Sequence, residues 1–435
     1  MSFAIFLRSK ILGVLCLMCV SAPAFAQGTL EPINGRDLRD LDRGREGLID
    51  DNPADRFYEP VTAGSFLLYP ILKLEQSYDD NILARDNAEE NSLVTSVAPR
   101  LLVQKQAGRH SFELDTKAEI RRAYSESSEN TENYHAHFRS TLEARHDIKI
   151  PLSFGYEHAH DDRFKSRSSA FNDTPYEYAQ ASAATGIIYN PNRLNLKLIG
   201  RAAHLNLENN TDRNTAAPII RDGRDRNSYE GLAEIGYMMR PHWNPFLRAS
   251  VQKEDFKRRA WTGTDFTGND QDNILLRSMA GLRMDYEDRI SGEISLGMDR
   301  RDYDQAGIDT TSDLAAQAFL SWQVSPRSKL SLDVTRFSVS DNDVVSGVTA
   351  TSADARLDYE LRSDIFLNAR AGYGIDDFDQ STREDDRIRA GLGIDYIAGP
   401  NLRLGAEYGY ESRDSNQSAL DFSRNLFLMR ATGAL

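Results

Sequence analysis

The chain has 435 residues but only 2 cysteines, Cys16 and Cys19, and both lie within the first 26 positions. Without that segment, neither a disulfide nor a thiolate metal site can form. Beyond Ala26 no run of ~20 apolar residues occurs, which excludes a transmembrane helix. Positive charge is in deficit, with 52 Lys and Arg against 66 Asp and Glu and a formal net charge of -14. Nucleic acid is excluded as a partner on that ground, because phosphate binding needs a basic face. Catalytic signatures are missing as well: there is no Gly-x-Ser-x-Gly, no phosphate loop and no His-Glu-x-x-His. The expectation is a non-enzyme with no catalytic residues, no cofactor and no metal site. Hydrophobic residues make up only 40%. A soluble protein would look like this, but so would a membrane barrel, where only every second strand residue meets lipid.

The first residues read as a signal peptide, 1–26. Arg8 and Lys10 form a positive start, Ile11 to Val20 is a short apolar run, and Ala24-Phe25-Ala26 fits a cleavage site before Gln27. Neither Cys16 nor Cys19 follows the small residue that a lipobox needs. Removing two cations and no acids leaves the mature chain at -14 - 2 = -16. Residues 27–63 form a second region, charged in both signs from Asn34 to Arg43 and punctuated by Pro32, Pro53 and Pro60. This pattern predicts a periplasmic arm, solvated rather than folded back as a plug.

From Gly64 to Leu435 the pattern changes and then holds: segments of roughly ten residues alternate apolar and polar. In the stretch from Ile388 to Tyr396, one face is Ile388, Ala390, Leu392, Ile394 and Tyr396, and the other is Arg389, Gly391, Gly393 and Asp395. Leu402, Leu404, Ala406, Tyr408 and Tyr410 stand likewise against Arg403, Gly405, Glu407, Gly409 and Glu411. About 18 such segments can be placed, at roughly 66–79, 91–105, 111–124, 133–145, 151–162, 176–189, 194–207, 228–239, 245–256, 273–286, 290–303, 313–324, 329–340, 351–361, 365–376, 386–397, 402–412 and 421–435. Short connections such as Ala107-Gly108-Arg109-His110 and Asn190-Pro191-Asn192-Arg193 take turns with long polar ones such as Asn209 to Ser228. Short turns on one side and long loops on the other distinguish an outer-membrane barrel from a sandwich. The predicted architecture is therefore all-β: a transmembrane antiparallel up-and-down β-barrel of about 18 strands over 64–435, behind the short arm, in the cell outer membrane. Tyr69, Tyr156, Tyr189, Tyr237, Tyr286, Trp322, Tyr359 and Tyr396 sit towards segment ends and predict an interfacial aromatic belt.

The polar face is the expected interior wall. Candidate lumen-lining residues are Glu113, Asp115, Lys117, Glu119, Arg121, Arg139, Arg277, Arg283, Asp354, Arg356, Asp358, Arg387, Arg389, Arg403 and Glu407. A barrel of this strand number has room for an aqueous lumen. These charges would pair across strands and solvate a path for polar solutes. Among the histidines, His135 and His137 share the polar face while His158 and His160 fall on the other. With a turn near Asp147 to Ile150, position 137 would oppose about 159, and opposite faces cannot build one metal site. Acids recur at the upper strand ends, as Asp79-Asp80, Asp161-Asp162, Glu254-Asp255, Asp302, Asp341, Asp343, Asp376-Asp377 and Glu411. They are read as solubilising loop ends, with a cation-bridged ring against lipopolysaccharide as the alternative.

Tyr69-Pro70 followed by Tyr78-Asp79-Asp80-Asn81-Ile82 resembles the opening of a family of outer-membrane barrels called putative β-barrel porin 2. The likeness covers nearly the whole mature chain in architecture and one short motif in residues. It implies a part in exopolysaccharide secretion across the outer membrane. The implied partners are membrane lipid and lipopolysaccharide, with polysaccharide and periplasmic export components as further candidates. A general diffusion porin or solute channel is the alternative reading. A barrel enzyme and a closed structural barrel are more distant ones.

Overall fold

The computed structural model describes residues 60–434 apart from 162, 164–171, 287–288, 341–346 and 380. The expected signal peptide and most of the expected arm lie outside the described residues. One nineteen-stranded antiparallel sheet dominates, made of a three-residue strand, Val61–Ala63, and eighteen long ones. The long strands are β1 (Phe66–Asp79), β2 (Ser92–Ala107), β3 (His110–Ala123), β4 (Thr131–Arg145), β5 (Ile148–His160) and β6 (Glu177–Tyr189). They continue as β7 (Leu194–Leu207), β8 (Arg226–Tyr237), β9 (Trp243–Phe256), β10 (Asn273–Tyr286), β11 (Ile290–Tyr303) and β12 (Thr311–Ser325). The last six are β13 (Ser328–Val339), β14 (Val348–Arg362), β15 (Ile365–Phe378), β16 (Glu384–Gly399), β17 (Leu402–Ser415) and β18 (Phe422–Ala434). Every strand pairs with its sequence neighbours. β1 also pairs with β18, from Ile71 opposite Ala434 to Asp79 opposite Leu426, so the sheet closes. Closure leaves no open edge, which is what lets a sheet stand in hydrocarbon, where water cannot satisfy backbone groups. Among the described residues no helix is long and apolar enough to cross a membrane.

The expected strands end within three residues of the observed ones throughout. Short and long connections alternate as expected. Two of the short turns need the left-handed backbone: Gly108 has φ 60° and Asn192 has φ 56°, a region open to Gly at no steric cost and tolerated by Asn. The hairpin of β4 and β5 differs from expectation. Its turn is tighter, with Arg145 opposite Ile148 and a register irregularity beside Glu143, so His137 faces Gly155 rather than a position near 159. Val61–Ala63, placed in the arm by composition, already pairs with Phe66–Leu68.

Alternation sorts the side chains. Leu198, Leu247, Leu296, Met298, Leu314, Leu392 and Met429 are large apolar residues exposed on the outer face. Arg100, Arg277, Glu293, Asp299, Asp395 and Arg430 are charged residues buried on the inner one. This inverts a soluble protein, and it is the arrangement expected when lipid lies outside. Tyr237, Tyr286, Trp322, Tyr359 and Tyr396 are exposed outward near the ends where the chain makes short turns, and so form one belt. Tyr78, Tyr134, Tyr229 and Tyr373, towards the other ends, are outward and exposed too, a second group the sequence reading passed over. Tyr69 does not belong to a belt. Its odd position turns it inward, where it is buried against Leu102 and Leu67.

Candidate functional site

All fifteen predicted lining residues lie on the inner face, opposite the exposed apolar one. Four pairs among them meet: Arg139 with Glu113 at 3.2 Å, Lys117 with Glu119 at 3.3 Å, Arg389 with Asp354 at 2.8 Å and Arg356 with Asp358 at 2.9 Å. Arg121 is half-buried on the same face of β3. The others find partners outside the fifteen. Asp115 pairs with Arg100 at 2.7 Å, Arg277 with Asp299 at 2.6 Å, Arg387 with Asp376 at 2.9 Å and Arg403 with Asp395 at 2.7 Å. Glu407 takes Arg370. These partners share the inward parity of their strands. That signal was in the sequence, whereas the register selecting each pair was not.

Arg283 belongs to the tightest group, near the short-turn end of β7 to β11. Glu234 accepts from Arg248 at 2.7 Å, from Arg283 at 3.3 Å and from Lys197 at 3.3 Å. Glu293 accepts from the same two arginines, at 3.0 Å from Arg248 and 2.8 Å from Arg283. The Phe246 ring lies 4.7 Å from the Arg248 guanidinium and 5.0 Å from that of Arg283. Both carboxylates are wholly buried, so every charge depends on its neighbours for solvation.

The far end of the interior is narrowed from two sides. Asn81, Ile82, Leu83 and Ala84 tuck inward after β1; Ile82 and Leu83 pack on Val94 and Ala123, and Ala84 packs on Phe422. Across the barrel, the chain leaving β13 turns inward. The Ser338 amide donates to Asp299 at 2.8 Å, and Ser340 is bonded to Glu254 of β9, four strands away. Arg301 donates to the hydroxyls of both serines, at 3.2 Å and 2.8 Å.

The Tyr78-Asp79-Asp80-Asn81 segment sits on the seam. Asp79 pairs with Arg424 of β18 at 3.2 Å. Asp80 accepts from the Asn425 backbone at 2.6 Å and its side chain at 2.7 Å. The Asn81 amide donates to the Ser423 carbonyl at 2.9 Å and the Arg85 carbonyl at 2.6 Å, and its oxygen accepts from the Arg85 amide at 3.0 Å. The motif thus ties the first strand to the last and turns the chain into the barrel mouth.

The upper acids do not form one ring among the described residues. Asp79, Asp161, Glu254 and Asp376 are buried. Asp255, Asp302 and Asp377 are exposed beside Lys253, Arg300 and Arg336. Strand parity sends adjacent acids to opposite faces. Asp341 and Asp343, like Asp162, lie outside the described residues. The histidines divide similarly. His135 faces Asp115 inside at 3.8 Å, while His158 and His160 flank Glu177 on the outer face at 2.8 Å and 3.5 Å.

A closed barrel, greasy outside and ionic inside, defines an outer-membrane β-barrel of the porin-like class, the architecture of a channel. The chain belongs to the family described as putative beta-barrel porin 2, which matches residues 58–433. Its place is the outer membrane. Several solved structures are similar at low identity. The copper transporter OprC matches at 10% identity and TM-score 0.47, over 87% of this chain and 82% of that one. OccK3 (OpdO) of Pseudomonas aeruginosa matches at 17% and 0.43, over 85% and 96%. OpdK of Pseudomonas aeruginosa, crystallised with vanillate, matches at 12% and 0.44, over 85% and 99%. No curated protein matches the sequence. None of these findings supports exopolysaccharide export, the leading expectation; the family's description as a porin fits the solute-channel alternative better.

Proposed function

We propose that the protein is a passive channel for small hydrophilic solutes across the outer membrane. One observation carries the reading: inward-facing side chains remain open to solvent inside the closed wall. Arg370 keeps 35% of its side-chain surface and Arg389 37%. A barrel filled by its own side chains would not leave them so. A wall of paired charges offers many weak donors and acceptors, so a hydrated solute passes without a deep trap. Swelling of liposomes that carry the purified mature protein, in isotonic small sugars, tests the proposal. Swelling at the rate of empty liposomes would end it. Export of exopolysaccharide now rests on the family resemblance alone. A deletion strain with normal surface polymer would remove it while leaving the channel reading intact.

A further inference from the structure

The inner wall carries cations and carboxylates in near balance, although the whole chain has a formal net charge of -14. Balance in number is not balance in exposure. In the pair of Arg370 and Glu407 the side chains are 35% and 7% accessible, and in that of Arg139 and Glu113 they are 33% and 13%. Arg201 and Glu230 stand at 21% and 1%, and Arg387 and Asp376 at 19% and 0%. These pairs come from different sectors of the wall: β15 and β17, β4 and β3, β7 and β8, β16 and β15. In each the carboxylate is recessed against the backbone and the guanidinium faces the water. Arg389 and Asp354 are equally accessible. The reverse order, Glu411 more open than Arg424, lies towards the loop end of β17.

The wall is built to hold the arginines this way. Glycines lie beneath Arg370, Arg387 and Arg389. A Cβ at Gly391 would come within 2.6 Å of Arg370 Nε, one at Gly372 within 3.3 Å of Arg389 Nε and one at Gly374 within 3.5 Å of Arg387 Nη2. Each arginine therefore lies flat across a bare stretch of strand and reaches a carboxylate on the next strand or beyond. Held so, the side chains keep 35% of their surface accessible at Arg370, 37% at Arg389 and 19% at Arg387. Guanidinium is fixed in charge and presents a fork of donors that matches a carboxylate. Exposed cations set before recessed anions, within low-dielectric walls, make a positive local potential along the path.

We infer that the channel is selective for small anions, organic carboxylates above all, with Arg370, Arg139, Arg201, Arg387 and Arg389 as the groups that attract and pass them. This rests on the channel reading and goes beyond it by naming the charge and class of the solute. The test is the reversal potential of the purified full-length mature protein in planar bilayers under a potassium chloride gradient. The expected result is chloride preferred over potassium by about threefold at low salt, with the preference falling as salt rises. Millimolar malonate should lower the chloride current, and the same concentration of glycerol should leave it unchanged. The variant R370Q/R389Q should move the preference towards unity, and D354N, which removes an accessible carboxylate, should raise it. Both variants are first checked for the heat-modifiable mobility of a folded barrel. Open channels that prefer potassium, or a preference that neither variant moves, would overturn the inference while the channel stands. The absence of any conductance would overturn the channel reading, and the inference with it.

Discussion

Two sectors of the inner wall use the same residue types to opposite ends. In β7 to β11, Lys197, Glu234, Arg248 and Glu293 are sealed from water and Arg283 keeps only 10% of its side chain accessible. In β14 to β17, Asp354, Arg370, Arg387 and Arg389 remain accessible. The difference lies in what separates the charges along each strand. Beside those of the first sector stand Leu232, Phe246 and Met279, all buried, and the Phe246 ring covers the bare strand at Gly281. Between those of the second stand Gly372, Gly374 and Gly391, over which Arg389, Arg387 and Arg370 lie. Bulky apolar side chains close over the first group of ions, whereas the bare strand beneath Arg370, Arg387 and Arg389 leaves the second open to solute.

The sealed sector should break hardest. Glu234→Ala leaves Lys197, Arg248 and Arg283 sharing Glu293 as their remaining acid in the cluster. Removing one partner of a buried ionic group costs about 3–5 kcal/mol. The expected outcome is loss of the heat-modifiable band on cold detergent gels, or a marked fall in its transition temperature. Glu234→Gln, which keeps the shape and an acceptor, should cost less. Equal loss in both would mean that packing, not charge, holds this sector. The seam comes next. Asn81→Ala removes three hydrogen bonds at the junction of β1 and β18 and leaves buried backbone groups short of partners, at about 1–3 kcal/mol. Thermal unfolding followed by tryptophan fluorescence should show a lower midpoint with unchanged ion selectivity, because no lumen cation is touched.

The same contrast shows what a sequence can disclose. Strand number, strand ends and inward parity follow from a period of two and from turn chemistry at positions such as Gly108 and Asn192, so they were legible. The fifteen candidates were placed on the inner face by that parity alone. Partnership was not legible, because it depends on register and on side chains reaching past the adjacent strand, as Arg248 does to Glu293 and Arg283 to Glu234. The same limit explains the misplaced partner of His137, where one tight turn moved the register. Nor could the motif at Asp79 to Asn81 be read for its role, since its partners lie near residue 425, at the far end of the chain. Tyr69 was misread for a simpler reason: parity was set aside in favour of residue type, and parity is the stronger constraint.

The accessible sector should bend rather than break. Gly391→Ala places a methyl group where Arg370 now crosses the strand. The atom it meets is near the end of a flexible side chain, so stability should change by less than about 1 kcal/mol. The guanidinium must lift away from the wall, and single-channel conductance should fall although net charge is unchanged. An unaltered conductance would mean that Arg370 does not border the path. Arg389→Gln should have the smallest effect on stability of all. Its pair with Asp354 is open to water on both sides, and such exposed pairs contribute about 0–1 kcal/mol, less in salt. Its mark should appear instead in the reversal potential. A large loss of stability from this change, matching that of Glu234→Ala, would erase the distinction between the two sectors, because it would show that the accessible arginines fasten the wall as firmly as the sealed ones.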